Sequence, residues 1–315
     1  MADEKIRIGI SSCLLGEQVR FDGGHKHQKY ITRELAKFFE FRSFCPEVAI
    51  GLGIPREPIR LVLDDDRDHP IRVVGTKDPS IDVTQDLIDC ANAQQVWLKD
   101  LSGYIFKKDS PSCGMERVKA YRNSQPTRQG VGLFARTVME NNPLIPVEEE
   151  GRLNDEDLRE NFIERVYVYH RWRALVAEGL TAKTLVEFHA RHKFIAMAHN
   201  QKLYRELGRY IAAIPKKDLH SYAEGYIARL MFCLRKPATL KNHINVLQHI
   251  QGFLGDQIDA EDKQEMVQAI ENCRVRKAPL TIPRTLLKHH FRKHPNEYIA
   301  DSYYLAPFPE ELAHR

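Results

Sequence analysis

The chain has 315 residues, 43% of them hydrophobic, with 47 Lys and Arg against 43 Asp and Glu for a net charge of +4. That length favours two domains over a single core, and the apolar share excludes a disordered chain. No stretch reaches the roughly 18 consecutive apolar residues of a membrane span, the charged start "MADEK" is unlike a secretory signal, and six scattered cysteines exclude a disulfide scaffold. A cytoplasmic protein with free or metal-bound thiols is the expectation. Residues 1–150 carry a net charge of −2 and residues 151–315 a net charge of +6, so an anionic partner is sought in the second part.

In chain order, "IRIGIS" is an apolar strand opening into a polar loop. "QKYITRELAKFFE" has helical periodicity and "FRSFC" reads as a strand. "PIRLV" and "IRVVG", joined by the charged "DDDRDHP", form a hairpin pattern. "DVTQDLIDCANAQQVWLKD" is a helix with an Asp at its start, and "GYIFK" is again a strand. Such alternation predicts an α/β, Rossmann-like domain with a largely parallel sheet over residues 1–150. "NNPLIPVEEEGRLNDEDLRE" reads as a hinge whose acidic run supplies the negative first turn of the next helix. Residues 151–315 then read as an all-α domain, with 151–184 as a candidate connecting helix. Neither a P-loop nor a strand-following G-x-G-x-x-G is present, which argues against a nucleotide cofactor.

Three cysteines follow predicted strands and precede turns: Cys13 in "CLLG", Cys45 in "CPE" and Cys113 in "CG". Parallel strands share one carboxyl edge, so these three can converge. Three thiolates suit a soft metal with one open coordination position, or an iron–sulfur cluster with one iron free. The competing reading is three unrelated loop cysteines. Cys90, Cys233 and Cys273 lie in helical patterns and read as packing residues. Glu47, two positions after Cys45, and the hydroxyls of Ser110 and Ser112 would border such a site, where they could orient and deprotonate a water.

Taken in order, "SSCLLGEQVRFDGGHK", "FCPEVAIGLGIPREPIRLV" and "KKDSPSCG" resemble the thiouracil desulfurase (TudS) family across most of residues 5–140. The resemblance implies a [4Fe-4S] cluster held by Cys13, Cys45 and Cys113, with Glu47 and Ser110 catalytic; Ser112 is kept as a helper. The second half, through "FHARHKFIAMAHNQKLYRELG", "HINVLQHIQGFL" and "YYLAPFP", resembles the YbgA-like domain. Chains joining both are RudS-type proteins, which implies non-redox, hydrolytic removal of sulfur from 4-thiouridine in tRNA, with water as co-substrate and hydrosulfide as product. No membrane and no obligatory protein partner are implied. Two alternatives stand beside it: a desulfurase of free thiouracil or thiouridine nucleotides, and a cluster-bearing RNA-binding module without turnover.

The residues themselves offer some support for RNA. With 185–210 taken as one helix, Lys202, Arg205 and Arg209 fall within about 40° of Arg191, a basic stripe suited to tRNA phosphates. A solvated helix face explains the same pattern. "CRVRKAPL" and "KHHFRKHP" are further basic clusters.

Overall fold

The structure is a computed structural model and describes residues 5–63 and 71–312. Its first strand, β1 (Ile6–Ser11), is buried at every position but Arg7, as expected for a strand covered on both faces. The segment after it differs from the expected helix. A single turn, α1 (Lys29–Arg33), gives way to a 3-10 turn over Leu35–Lys37, and Phe39 already belongs to β2 (Phe39–Phe44). The aromatic alternation of Phe39 and Phe41 favours an extended chain, and Phe39 pairs in register with Ile6 of β1. After β2 come the short α2 (Pro46–Ala49), then β3 (Ile59–Leu63) and β4 (Ile71–Gly75), which pair antiparallel as expected. The "DDDRDHP" that joins them lies outside the described residues.

The expected Asp N-cap is displaced by one residue: Val83 is the N-cap of helix α3 (Thr84–Ala93) and makes no side-chain cap bond, while Asp82 Oδ1, one position earlier, accepts from Thr84 N at 3.0 Å. The helix stops at Gln94, and α4 (Gln95–Leu98) follows. Then come β5 (Gly103–Phe106), buried throughout, the hairpin β6 (Val118–Arg122) and β7 (Gln125–Gly130), helix α5 (Leu133–Asn141) and β8 (Val147–Glu149).

Two sheets result. One is ordered β2-β1-β5-β8 and parallel throughout. The other is ordered β4-β3-β6-β7, antiparallel except where β3 meets β6. The first is the expected Rossmann-like sheet; the hairpin β6–β7 was not anticipated. The acidic run is also corrected. Glu148 and Glu149 belong to β8, and Glu148, Glu149 and Glu150 are buried, whereas Glu156 and Asp157 supply the acidic first turn of α6 (Glu156–Glu178).

The chain divides into two units between Phe162 and Ile163, within α6. The second unit is helical: α7 (Ala182–His199), α8 (Gln201–Ala212), α9 (Leu219–Cys233), α10 (Leu240–Gln251), α11 (Ala260–Arg274), α12 (Thr281–Lys293) and the short α13 (Glu297–Ala300). No described helix is long and apolar enough to cross a membrane. The single helix expected over 185–210 is broken. Asn200 is extended at φ −155° and ψ 110°, and its side chain accepts from the N–H groups of Lys202 and Leu203, starting a new helix. Arg191 therefore lies on α7 while Lys202, Arg205 and Arg209 lie on α8, so the four do not form one helical stripe.

Several histidines sit inside this unit. His192 is 1% exposed with Nδ1 bonded to Phe188 O, and His199 bonds Glu164 and Lys236 O at 2.7 and 2.6 Å. Burial pushes the pKa of His189 down to about 4, aided by Lys193, and that of His192 down to about 3 and His243 to about 2. The unfolded chain takes up these protons near the ordinary pKa, about 6.5. The stabilisation is thus complete above that pH and is lost as pH falls through the folded values. The unfolding free energy of the chain from urea titration should drop between pH 7 and pH 4.5, by up to about 1.4 kcal/mol per pH unit for each such histidine. His189→Gln should make that drop shallower, and equal slopes in the two proteins would contradict the assignment.

Candidate active site at the strand ends

Because β1, β2, β5 and β8 run parallel, their carboxyl ends meet at one edge. The residues beyond those ends line a cavity of about 510 Å³, including Cys13, Cys45 and Cys113 together with Glu47, Ser110 and Ser112. Every one of the cluster and catalytic residues expected from the sequence is therefore at this cavity. Cys90, Cys233 and Cys273 are not among its lining.

Local structure explains how each cysteine reaches the cavity. Cys13 sits in a 3-10 turn directly after β1, closed by Gly16 at φ 99°. Cys45 is the residue before α2, with Pro46 opening the helix. Cys113 belongs to the turn 110–114, in which Ser110 Oγ accepts from the N–H groups of Ser112 and Cys113 at 3.3 and 3.1 Å. Helix α5 fixes that turn from behind. Its leading N–H groups, which a helix leaves unpaired, donate to the turn: Gly132 to Gly114 O, Leu133 to Pro111 O and Ala135 to Ser112 O, at 2.7 to 3.1 Å. Gly132 is required for this approach, since a Cβ there would lie 2.6 Å from Gly114 N and from Ser112 C.

The polar groups form a connected chain. Ser112 Oγ donates to Glu47 Oε1 at 2.6 Å, and Ser110 Oγ lies 3.0 Å from Ser112 Oγ. An ionised carboxylate only accepts, so the hydroxyls orient from Ser110 through Ser112 to Glu47. Ser112, expected only as a helper, is the direct partner of Glu47. The other carboxylate oxygen is held by Arg56, through Nη2 at 2.6 Å and Nε at 3.0 Å. Arg56 is 5% exposed and Glu47 14%, so this is a desolvated, charge-assisted pair. Sequence reading missed Arg56; the "IPREP" in which it lies looks like an ordinary loop.

The acidic run at β8 braces the segment that forms this wall from outside the cavity lining. Glu150 accepts from Lys107 Nζ at 2.5 Å and from Lys108 N at 2.6 Å, and Glu149 accepts from Met115 N at 2.7 Å. Both ends of the segment carrying Ser110 and Cys113 are thereby tied to β8. Arg20, Lys26 and Lys108 add positive charge to the lining.

Burial raises the thiol pKa values, that of Cys13 to about 11 against the pull of Lys107 and Arg20, and those of Cys45 and Cys113 likewise upward. Among the described residues no three His, Cys, Asp or Glu side chains gather tightly enough to hold one metal ion. The three sulfurs border a common cavity instead, which suits a larger soft-metal group.

In the helical unit, a groove of about 540 Å³ is lined by His189, Lys193, Tyr204, Arg205, Arg209 and Tyr298, among others. Arg205 and Arg209 thus share one groove, while Arg191 and Lys202 are exposed outside its lining.

Comparison with known proteins matches residues 8–150 to the family described as 2-thiouracil desulfurase. Residues 193–309 match the family described as "Protein of unknown function (DUF1722)". The chain is similar to "Uncharacterized protein YbgA" of Escherichia coli (strain K12), 31% identical over 149 residues, covering 47% of this chain and 88% of that one. "Uncharacterized protein YbbK" of Bacillus subtilis (strain 168) is 31% identical over 112 residues, covering 34% of this chain and 72% of that one. A solved structure titled "[4Fe-4S]-dependent thiouracil desulfidase TudS" is 30% identical, with a TM-score of 0.39, over 48% of this chain and 95% of that one.

The seating of α5 on the cysteine turn can be tested directly. Gly132→Ala should displace residues 111–114 and cost about 1–3 kcal/mol through overpacking. The expected result is a lower urea midpoint together with faster reaction of Cys113 with a thiol reagent. An unchanged midpoint and rate would show that the turn does not depend on this contact.

Proposed function

The chain belongs to the 2-thiouracil desulfurase family and continues into a YbgA-like half, and from this we propose that it is an iron–sulfur-dependent desulfurase acting hydrolytically on 4-thiouridine in tRNA. The observation that carries the reading is the joint cavity of three thiols with the Ser110–Ser112–Glu47–Arg56 chain. The donor set fits a [4Fe-4S] cluster: three cysteine sulfurs around a cavity far larger than one ion requires, with buried cationic and hydroxyl groups beside them. When bound, a cluster held by Cys13, Cys45 and Cys113 supplies one iron free for a soft thiocarbonyl sulfur, making the carbon that bears it more electrophilic.

The protein's own residues do the rest. A water at the Ser110–Ser112 hydroxyls is oriented for attack on that carbon. Its proton passes along the two hydroxyls to Glu47, the terminal acceptor of the chain. The carbon–oxygen bond forms, the carbon–sulfur bond breaks, and hydrosulfide leaves with no net electron transfer. Arg56 fixes the carboxylate so that one oxygen keeps facing Ser112. Arg20, Lys26 and Lys108 suit the phosphates that flank a nucleotide.

Support for tRNA as the substrate comes from the helical part, with its net charge of +6 over residues 151–315. Lys193, Arg205 and Arg209 bring three cations to one groove beside Tyr204 and Tyr298, a combination suited to phosphates and stacked bases. Free thiouracil is the second reading, favoured by the description of the family itself.

Anaerobically reconstituted full-length chain should hold about four iron and four sulfide and should bleach the thiobase absorbance of 4-thiouridine tRNA while releasing sulfide. Glu47→Gln should keep the iron and lose at least about 100-fold in rate. Zinc without sulfide would sink the cluster, and turnover of free thiouracil alone would sink the tRNA reading. For binding, Arg205→Gln with Arg209→Gln should weaken tRNA affinity and lower the salt slope by about one for each phosphate that is no longer neutralised. An unaltered slope would place the RNA surface elsewhere.

A further inference from the structure

The cavity at the strand ends has two aromatic rings in its lining, those of Phe21 and Phe44. Phe44 is engaged by the core, with Phe134 at 5.4 Å and Trp97 at 5.8 Å between ring centroids. Phe21 meets no other ring among the described residues and is 38% exposed. The Arg20 guanidinium lies 5.3 Å from its ring centre, close enough to hold the ring by cation–π attraction.

Although the ring is exposed, the backbone beneath it is held. Phe21 O accepts from Arg56 N, and Val19 O from Arg56 Nη2, both at 2.9 Å. That same Nη2 donates to Glu47. Beyond the ring, Arg20 N bonds Gly24 O at 3.2 Å and Gly23 N bonds Arg20 O at 2.9 Å, with Gly23 at φ 74°. Lys26 N then reaches Cys13 O at 2.8 Å. The turn that carries Phe21 is thereby tied to Cys13 on one side and to the partner of Glu47 on the other. An aromatic side chain on a backbone already fixed loses little freedom when a ligand settles against it.

A flat ring suits a flat ligand. Arg20, Lys26 and Lys108 belong to the same lining, and an aromatic face among cations is the combination that takes a base by stacking and a phosphate by charge. A base drawn out of its own stack loses contacts that a ring in the site can replace.

We propose that Phe21 is the stacking platform for the thiolated base, holding the pyrimidine by its face while Glu47, Ser110 and Ser112 act at the carbon that bears sulfur. This rests on the desulfurase reading above and deepens it.

The test uses full-length chains with the cluster reconstituted and iron and sulfide matched between variants. KM and kcat are measured for 4-thiouridine tRNA and for 4-thiouridine monophosphate. Phe21→Ala and Phe21→Leu should each raise KM about 5- to 150-fold, the loss of one base–aromatic stack, with kcat changed less. Phe21→Tyr should stay near the wild-type KM. Leucine keeps the apolar bulk without a π-face, so a wild-type KM in Phe21→Leu would overturn the proposal and leave Phe21 a packing residue. A rise confined to tRNA would assign the ring to a flanking base and overturn it as well. Binding is read separately in Phe21→Trp. The chain's own Trp97 and Trp172 are buried, so the added emission should be quenched by 4-thiouridine monophosphate, and unquenched emission in an active variant would count against stacking. A loaded wild type that turns over neither substrate would defeat the desulfurase reading itself, a result distinct from full turnover with indifferent Phe21 variants.

Discussion

Parallel pairing of β2, β1, β5 and β8 is the constraint on which the rest depends. It sends four carboxyl ends to one edge, so that residues separated by up to about a hundred positions along the chain become neighbours there. Cys13, Cys45 and the Lys107–Cys113 segment each need only a short turn beyond their strand to reach the cavity. The sheet reaches the site's segment with polar groups at its strand ends, Ser11 Oγ accepting from Lys107 N and Glu149 Oε1 from Met115 N. Its part is to fix positions, and the turns supply the chemistry. Such a division lets the strands stay apolar, as the fully buried β5 does.

The carboxylates buried at and behind the cavity must have their charges balanced locally, because burial takes them out of water. Glu47 is paired with Arg56, and Glu150 with Lys107, at 14% and 6% exposure for the two carboxylates. Glu148 is held by Arg152, itself paired with Glu116. These contacts are more than compensation. Each acid also accepts a backbone N–H or a hydroxyl from the segment that carries Ser110 and Cys113, or from β8 itself. The same bonds that neutralise the wall therefore hold the site's most irregular stretch in a single conformation.

How much of this is legible in sequence depends on how far apart the interacting partners lie. Apolar runs ending in turns announce β1 and β5 and place Cys13 and Cys113 after them, since strand pattern and turn chemistry are local. The buried acids of β8 are opaque for the opposite reason. "VEEE" reads as solvated, and only Lys107, Met115 N and Lys108 N, 34 to 43 positions away, make its burial possible. The hairpin β6–β7 turns at Asn123 and Ser124, both at positive φ, without the glycine that marks such turns, and its strands are largely polar. Within the site, nearness to the cysteines points to Glu47, Ser110 and Ser112, and the family resemblance prefers Ser110, but neither can show that Ser112 stands between Ser110 and Glu47 or that Arg56 holds Glu47. Asn200 shows a local limit as well: one residue that caps a new helix defeats a periodicity argument carried across residues 185–210.

The thiols pose the sharpest energetic question, because the pocket that suits a ligand also disfavours its charged form. Burial raises Cys13 to about 11 and Cys113 further, so without a cationic group these sulfurs carry protons at neutral pH. Cys45 and Glu47 reinforce that effect at Cys113, while other neighbours oppose it: Lys107 and Arg20 act on Cys13, the N–H groups of Val48 and Glu47 on Cys45, and the hydroxyls of Ser11 and Ser112 on Cys113. Desolvation wins in the protein alone, while the donors are already aimed for the charged sulfurs. A metal group that replaces the three protons supplies the missing positive charge and meets donors that need no rearrangement. On that account the high thiol pKa values and the ligand role do not conflict. The burial that makes the thiols hold their protons is the same burial that would strengthen each metal–sulfur bond of the proposed cluster once those protons are gone.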